Sequence, residues 1–143
     1  MHLSQLKDVI KDMIKEHGIR VTRKKFKSPA GRAWVQDRVI KIPKITDFQS
    51  AGTAIHEIGH IILGHDDEVL DYICEYDTEL WTIKFLKKCE MHIDYKAEFE
   101  IYVLGAKQNV QMHVDRYTKR LERQGKNVKI RKKILTWLEN ESI

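Results

Sequence analysis

The feature that most constrains this chain is the segment His56-Glu57-Ile58-Gly59-His60, because its spacing suits metal binding from one helical turn. In an α-helix, residues four positions apart lie about 40° from each other around the axis. His56 and His60 therefore direct two imidazoles at one point, as a tetrahedral zinc ion requires. Glu57 projects beside them, in a position to take a proton from a water held by the metal. The motif predicts a zinc-dependent hydrolase.

The residues around the motif favour a metal site over a chance pair of histidines in a core helix. Imidazoles and a carboxylate in apolar surroundings need partners, because unpaired buried polar groups are costly. A metal ion supplies that partner. The apolar neighbours are Ile55, Ile58, Ile61, Ile62 and Leu63.

A catalytic zinc site usually has three protein ligands, so the motif requires one more. Geometry argues against His65, which lies about 140° from His60 around the helix. Gly64, just before His65, is typical of a helix C-terminus. The next helical segment carries Glu75 and Glu79 on one face. One of these carboxylates could be the third ligand, and the other could hold a ligand histidine by a hydrogen bond.

These residues resemble the ImmA/IrrE-type zinc metallo-endopeptidases, a gluzincin-like family with the H-E-x-x-H motif. The family pattern is H-E-[LIF]-G-H, followed by E-x-x-A-x-x-F-A on the next helix. Residues 56–60 match the first part, and Glu75 begins the second. Thr78 stands where the family has Ala, and Trp81 where it has Phe. The resemblance covers about residues 1–90, and its specific part is the H-E-x-x-H motif.

The resemblance implies a site and a substrate class. His56, His60 and Glu75 would bind Zn²⁺, Glu57 would be the catalytic carboxylate, and Glu79 would lie one turn from the metal. The substrate would be another protein, typically a transcriptional repressor. The alternative is a peptidase-like metal-binding module that binds a protein partner or DNA without cleaving it.

Composition and charge place the chain among globular proteins. A length of 143 residues with 42% apolar composition is sufficient for a hydrophobic core. No apolar run approaches about 18 residues, and the N-terminus does not resemble a signal peptide, so we expect a cytoplasmic protein. Cys74 and Cys89 are predicted to be free thiols.

The net charge of +5 is unevenly distributed. Acidic side chains dominate residues 46–105, as a cation site would favour, whereas both flanks are basic. Basic flanks could bind nucleic acid, but solvated lysine faces are the commoner explanation. A protein substrate is therefore favoured over a nucleic-acid partner.

Hydrophobic periodicity predicts an α+β fold. The family resemblance implies that residues 1–90 form a zincin-like metallopeptidase domain. Its parts are a helix over residues 3–17, a strand at 19–23, a basic loop at 24–31 and a hairpin of 33–35 with 39–42, forming a small antiparallel sheet. The motif helix is predicted to run from near Asp47 to Leu63, with Thr46 and Gln49 as its capping box. The helix carrying Glu75 continues to about Lys88.

Residues 91–143 are predicted to be a helical extension packed on the same domain. One long helix spans about residues 95–124, either unbroken or broken near Gly105, and Asn127 caps a last helix. A surface for dimerisation or substrate recruitment is the alternative role of the extension. Candidates for stabilising an oxyanion are Tyr72, His92, Tyr95 and His113.

Overall fold

The computed structural model describes residues 1–22 and 31–140, and this part of the chain forms an α+β fold, as predicted. None of its helices is long and apolar enough to cross a lipid bilayer. In chain order the elements are α1 (Leu3–Glu16), β1 (Arg20–Thr22), β2 (Arg32–Trp34), β3 (Val39–Lys41), α2 (Phe48–Leu63), α3 (Asp71–Lys88), α4 (Met91–Asp94), α5 (Lys96–Arg123) and α6 (Lys132–Glu139).

The strands form a mixed sheet in the order β1-β3-β2. β2 and β3 make the predicted antiparallel hairpin, with Trp34 opposite Val39. The prediction of an antiparallel sheet is wrong for β1, which runs parallel to β3 with Val21 opposite Ile40. β2 occupies one side of β3, so β1 pairs on the other, and alternation of side chains does not reveal strand direction. Most of the predicted basic loop, residues 24–30, lies outside the described residues.

α1 contributes the first layer of the core. Its apolar stripe buries Leu6, Ile10 and Met13 in the same hydrophobic cluster as Ile40 of β3 and Ile58 of α2. Burial of aliphatic side chains at this spacing stabilises an amphipathic helix against its neighbours. The predicted N-terminal helix is therefore confirmed.

α2 begins and ends as its sequence requires, although its capping residues differ from the prediction. Asp47 accepts a hydrogen bond from the backbone N–H of Ser50 at 2.8 Å, and the Ser50 hydroxyl oxygen accepts one from the N–H of Asp47 at 3.0 Å. The capping box is thus Asp47–Ser50, not Thr46–Gln49. At the other end, Gly64 has a φ of 60°, a left-handed conformation that glycine adopts without strain.

Two of the later helices cover α2. α3 packs on α2, and α5 packs on both. α5 is unbroken at Gly105, and α6 begins at Lys132 rather than close to Asn127.

Phe99 and Val103 of α5 join the main hydrophobic cluster. A second cluster holds α3, α5 and α6 together and consists of Tyr72, Ile73, Tyr76, Val110, Val114 and Ile134. The division of the chain at residue 90 stays a prediction.

Two glycines inside helices are expected to respond oppositely to alanine. A Cβ on Gly52 would lie 2.6 Å from Cε2 of the buried Tyr102 ring, whereas a Cβ on Gly105 would meet nothing within 4 Å. Overpacking outweighs the gain in helix propensity at Gly52, so Gly52→Ala should lower the free energy of unfolding by about 1–2 kcal/mol. Gly105→Ala should raise it by about 0.5–1 kcal/mol. Urea unfolding followed by circular dichroism measures both, and changes of the same sign would contradict the close contact of α2 with α5.

Candidate metal centre

α2 places the two histidines of the motif side by side, facing α3. Their Nε2 atoms lie 3.0 Å apart, and the rings meet edge to face with centroids 4.7 Å apart. Together with Glu57 they form a group whose ligand atoms all lie within 4.8 Å of one another. The group of His56, Glu57 and His60 could therefore hold a metal ion.

Glu75 adds a carboxylate to this pair from α3. Its Oε2 lies 3.1 Å from His56 Nε2 and 3.5 Å from His60 Nε2. Ligand atoms about 2.0–2.1 Å from a tetrahedral zinc ion are separated by about 3.3–3.4 Å. The three atoms thus have nearly the spacing of three corners of a tetrahedral site, and their chemistry, two imidazoles and one carboxylate, suits zinc.

Glu79 orients His56 from the far side of the ring. Its Oε1 lies 2.6 Å from His56 Nδ1 and also accepts a hydrogen bond from the Tyr102 hydroxyl at 3.1 Å. Burial, together with the nearby Glu79 carboxylate, raises the pKa of Tyr102 well above its usual value, so the hydroxyl keeps its proton. A carboxylate accepts hydrogen bonds, so Nδ1 of His56 carries a proton, and a metal ion that displaces the proton on Nε2 would bind the Nε2 lone pair.

Thr78 orients His60 in the same way. Its hydroxyl donates to the Cys74 carbonyl at 2.7 Å and lies 3.2 Å from His60 Nδ1. A hydroxyl has one proton to donate, so towards the ring Thr78 acts as the acceptor. His60 then carries its proton on Nδ1 and presents an unprotonated Nε2 beside that of His56.

Glu57 is buried beside the histidine pair. It is 5% exposed and packs under Gly31, where an added Cβ would lie 2.8 Å from both Cγ and Oε2 of Glu57. Burial raises the pKa of Glu57, although His56 and His60 act in the opposite direction. A raised pKa makes a carboxylate a better acceptor of a proton, as a general base requires.

α5 contributes a wall of the site, of which the sequence analysis had named only His113. Asn109 donates a hydrogen bond from Nδ2 to Glu75 Oε2 at 3.1 Å, and His113 Nε2 lies 3.7 Å from Glu75 Oε1. Tyr102, Asn109 and His113 follow one another at steps of seven and four residues, which puts them on one face of a helix. Polar side chains along that face, beside the buried Val110, were the available signal in the sequence.

The electrostatics of the site favour a positive charge between the carboxylates. Burial acts to lower the pKa of His56, but hydrogen bonds to Glu75 and Glu79 outweigh it and raise the pKa to about 10. Burial acts to raise the pKa of Glu75, but the hydrogen-bonded imidazoles of His56 and His60 lower it below its usual range. The same attraction for a proton is available to a metal cation.

The histidine pair opens into a cleft of about 1000 Å³. Its walls come from residues 31–35, from the acidic connection at 65–71 and from one face of α5. His65 lines this cleft, but its Nε2 lies 2.9 Å from Asp77 Oδ2. His65 therefore pairs with Asp77 rather than with the two motif histidines. This agrees with the geometric argument against His65 as a metal ligand.

Comparison with protein-family models, with curated proteins and with solved structures gives no match for this chain. The interpretation of the site therefore depends on its geometry and chemistry.

Proposed function

We propose that this protein is a zinc-dependent endopeptidase that hydrolyses a peptide bond of a protein substrate. The observation that carries the proposal is the spacing of 3.0–3.5 Å among His56 Nε2, His60 Nε2 and Glu75 Oε2. Both imidazoles direct Nε2 at the same point, and the cluster opens to a cleft of about 1000 Å³, large enough for a peptide. The resemblance to ImmA/IrrE-type peptidases supports the same assignment.

In this proposal His56, His60 and Glu75 hold Zn²⁺, and Glu57 stays outside the ligand set. A zinc ion bound at three protein ligands makes a water at its open position acidic and polarises a substrate carbonyl. Glu79 and Thr78 fix the ring orientations, and Asn109 fixes Glu75. Hydrogen-bond partners of this kind raise the affinity for the metal as well as fixing the orientation of its ligands.

Glu57 moves the protons of the reaction. It accepts a proton as the water oxygen forms a bond to the scissile carbonyl carbon, and it then gives that proton to the leaving nitrogen as the C–N bond breaks. This single transfer gives a carboxylic acid and a neutral amine, and the acid then releases its proton to the amine or to solvent, so that all protons are accounted for. Burial under Gly31 and the raised pKa of Glu57 suit this exchange.

The substrate is proposed to bind as an extended segment along β2. This strand stands at one end of the described strand order, and Gly31, just before it, lies over Glu57. An antiparallel segment added to such a strand is held by main-chain hydrogen bonds and brings its backbone past the histidine pair. A transcriptional repressor is the substrate class that the family resemblance suggests.

The proposal is tested by metal analysis and a cleavage assay on the purified protein. We expect about one zinc ion per chain and cleavage of members of a quenched fluorescent peptide library. Activity should disappear with a zinc chelator and return when zinc is added. The variant His60→Ala should lack both zinc and activity, because it removes a ligand. A wild-type protein that binds zinc but cleaves no peptide or repressor would contradict the proposal and favour the binding module.

A further inference from the structure

One imidazole in the cleft is not explained by metal binding. His113 of α5 lines the cleft, and its Nε2 lies 3.7 Å from Oε1 of Glu75, longer than a hydrogen bond. The oxygen of Glu75 that faces the two motif histidines is the other one, Oε2. His113 therefore stands beside the proposed metal site without being one of its three closely spaced atoms.

Several other polar side chains of the cleft have partners within the protein. The Tyr102 hydroxyl donates to Glu79, and Asn109 donates to Glu75. Thr53 donates its single proton to the Gln49 carbonyl, and His65 pairs with Asp77. The single hydroxyl protons of Tyr102 and Thr53 are therefore directed at the protein rather than at a bound peptide.

The other three candidates for an oxyanion partner lie in structural positions. Tyr72 is buried against the Tyr117 ring in the second hydrophobic cluster. The Tyr95 hydroxyl accepts a hydrogen bond from the N–H of Leu3, and His92 packs against Phe99. None of these three side chains lines the cleft, whereas His113 does.

The position of His113 is fixed by the helix that carries it. Val110 and Val114, three residues before it and one after it, are buried in the second hydrophobic cluster. A side chain on a packed helix is held more closely in place than one on a loop. Its side chain is 18% exposed, so the ring is largely desolvated yet still borders the cleft.

We propose that His113 donates a hydrogen bond from Nε2 to the carbonyl oxygen of the scissile peptide bond while negative charge develops on that oxygen. This inference rests on the proposed peptidase function. The charge appears when the water oxygen adds to the carbonyl carbon and the π electrons move onto the carbonyl oxygen. A neutral imidazole with its proton on Nε2 is a sufficient donor, so the role does not depend on the charge of the ring.

Kinetics on the cleaved peptide give the first test. His113→Ala is expected to lower kcat by about 100-fold, because one lost oxyanion donor costs on the order of 10²–10³ in kcat. The KM should change by less than about threefold, since the contact strengthens only in the transition state. His113→Gln keeps an N–H donor at similar reach and should recover much of the loss. Gln111→Ala, on the opposite face of the same helix, is the control and should match the wild type.

Binding of two inhibitors gives a readout that does not depend on turnover. A phosphinic peptide carries an oxygen in the place of the developing oxyanion, whereas a peptide hydroxamate of the same sequence chelates the metal without a tetrahedral centre. Calorimetry on zinc-loaded His113→Ala should show about 10–100-fold weaker phosphinate binding, as expected for a contact specific to the transition state. Hydroxamate affinity and zinc content should stay unchanged. If the alanine variant fails to unfold cooperatively, His113→Leu, which preserves volume without a donor, replaces it.

The outcomes separate this inference from the proposed function. If His113→Ala retains the wild-type kcat, or weakens both inhibitors equally, the oxyanion role is wrong while the peptidase proposal stands. If the variant loses zinc, His113 serves the metal site instead, and the oxyanion role is again wrong. If the wild-type protein cleaves nothing and binds neither inhibitor, the peptidase proposal itself fails.

Discussion

Glu57→Gln is expected to lower kcat for peptide cleavage by about 10²–10⁴-fold while zinc remains bound. The amide of glutamine keeps the size of the carboxylate but cannot accept the proton that Glu57 takes in the proposed reaction. Because Glu57 is buried and packs against Gly31, an isosteric change also preserves its surroundings. Steady-state kinetics and metal analysis of the same preparation measure the two quantities.

Glu100→Gln is the matched control, since Glu100 is an exposed glutamate on α5 and the charge change is identical. Its activity should equal that of the wild type. Full activity in Glu57→Gln would contradict the proposed role of Glu57 as the proton carrier. A retained biological effect without cleavage would favour the binding module. Loss of zinc from Glu57→Gln would show that Glu57, which lies in the same group as the two histidines, binds the metal itself.

The part of the site that the sequence predicted is the part that local geometry determines. His56 and His60 are four residues apart on one helix, so helical periodicity alone brings their rings together. The C-terminal glycine of that helix, Gly64, could be predicted for the same reason. Both conclusions depend on residues within one or two turns of each other.

The part that the sequence could not predict depends on packing between distant segments. The hydrogen bonds from Tyr102 to Glu79 and from Asn109 to Glu75 join residues 23 and 34 positions apart in the chain. Periodicity marked α5 as a helix but gave no information on which of its faces would meet α3. The parallel pairing of β1 with β3 was missed for a related reason, because three-residue strands carry little sign of their direction.

The choice between Glu75 and Glu79 as third ligand, open from the sequence, gives the second large expected effect. In the structure Glu75 Oε2 faces both Nε2 atoms, whereas Glu79 Oε1 contacts the Nδ1 atom on the far side of His56. Glu79→Gln should weaken zinc binding by about 10–100-fold, the usual effect of losing a hydrogen-bond partner of a ligand. Glu75→Gln should weaken zinc binding by a larger factor, because it replaces a charged group in the proposed ligand set by a neutral one.

Competition for zinc with a chromophoric chelator measures both affinities in one assay, with Glu100→Gln again as the control. A further variant, Tyr102→Phe, removes only the hydroxyl that supports Glu79 and should weaken zinc binding less than Glu79→Gln does. The expected order of affinity loss is therefore Glu75→Gln, then Glu79→Gln, then Tyr102→Phe. A larger loss for Glu79→Gln than for Glu75→Gln would instead make Glu79 the ligand. The ring of His56 would then have to turn so that Nδ1 binds the metal. The spacing of His56 Nε2, His60 Nε2 and Glu75 Oε2 would then no longer support the proposed ligand set.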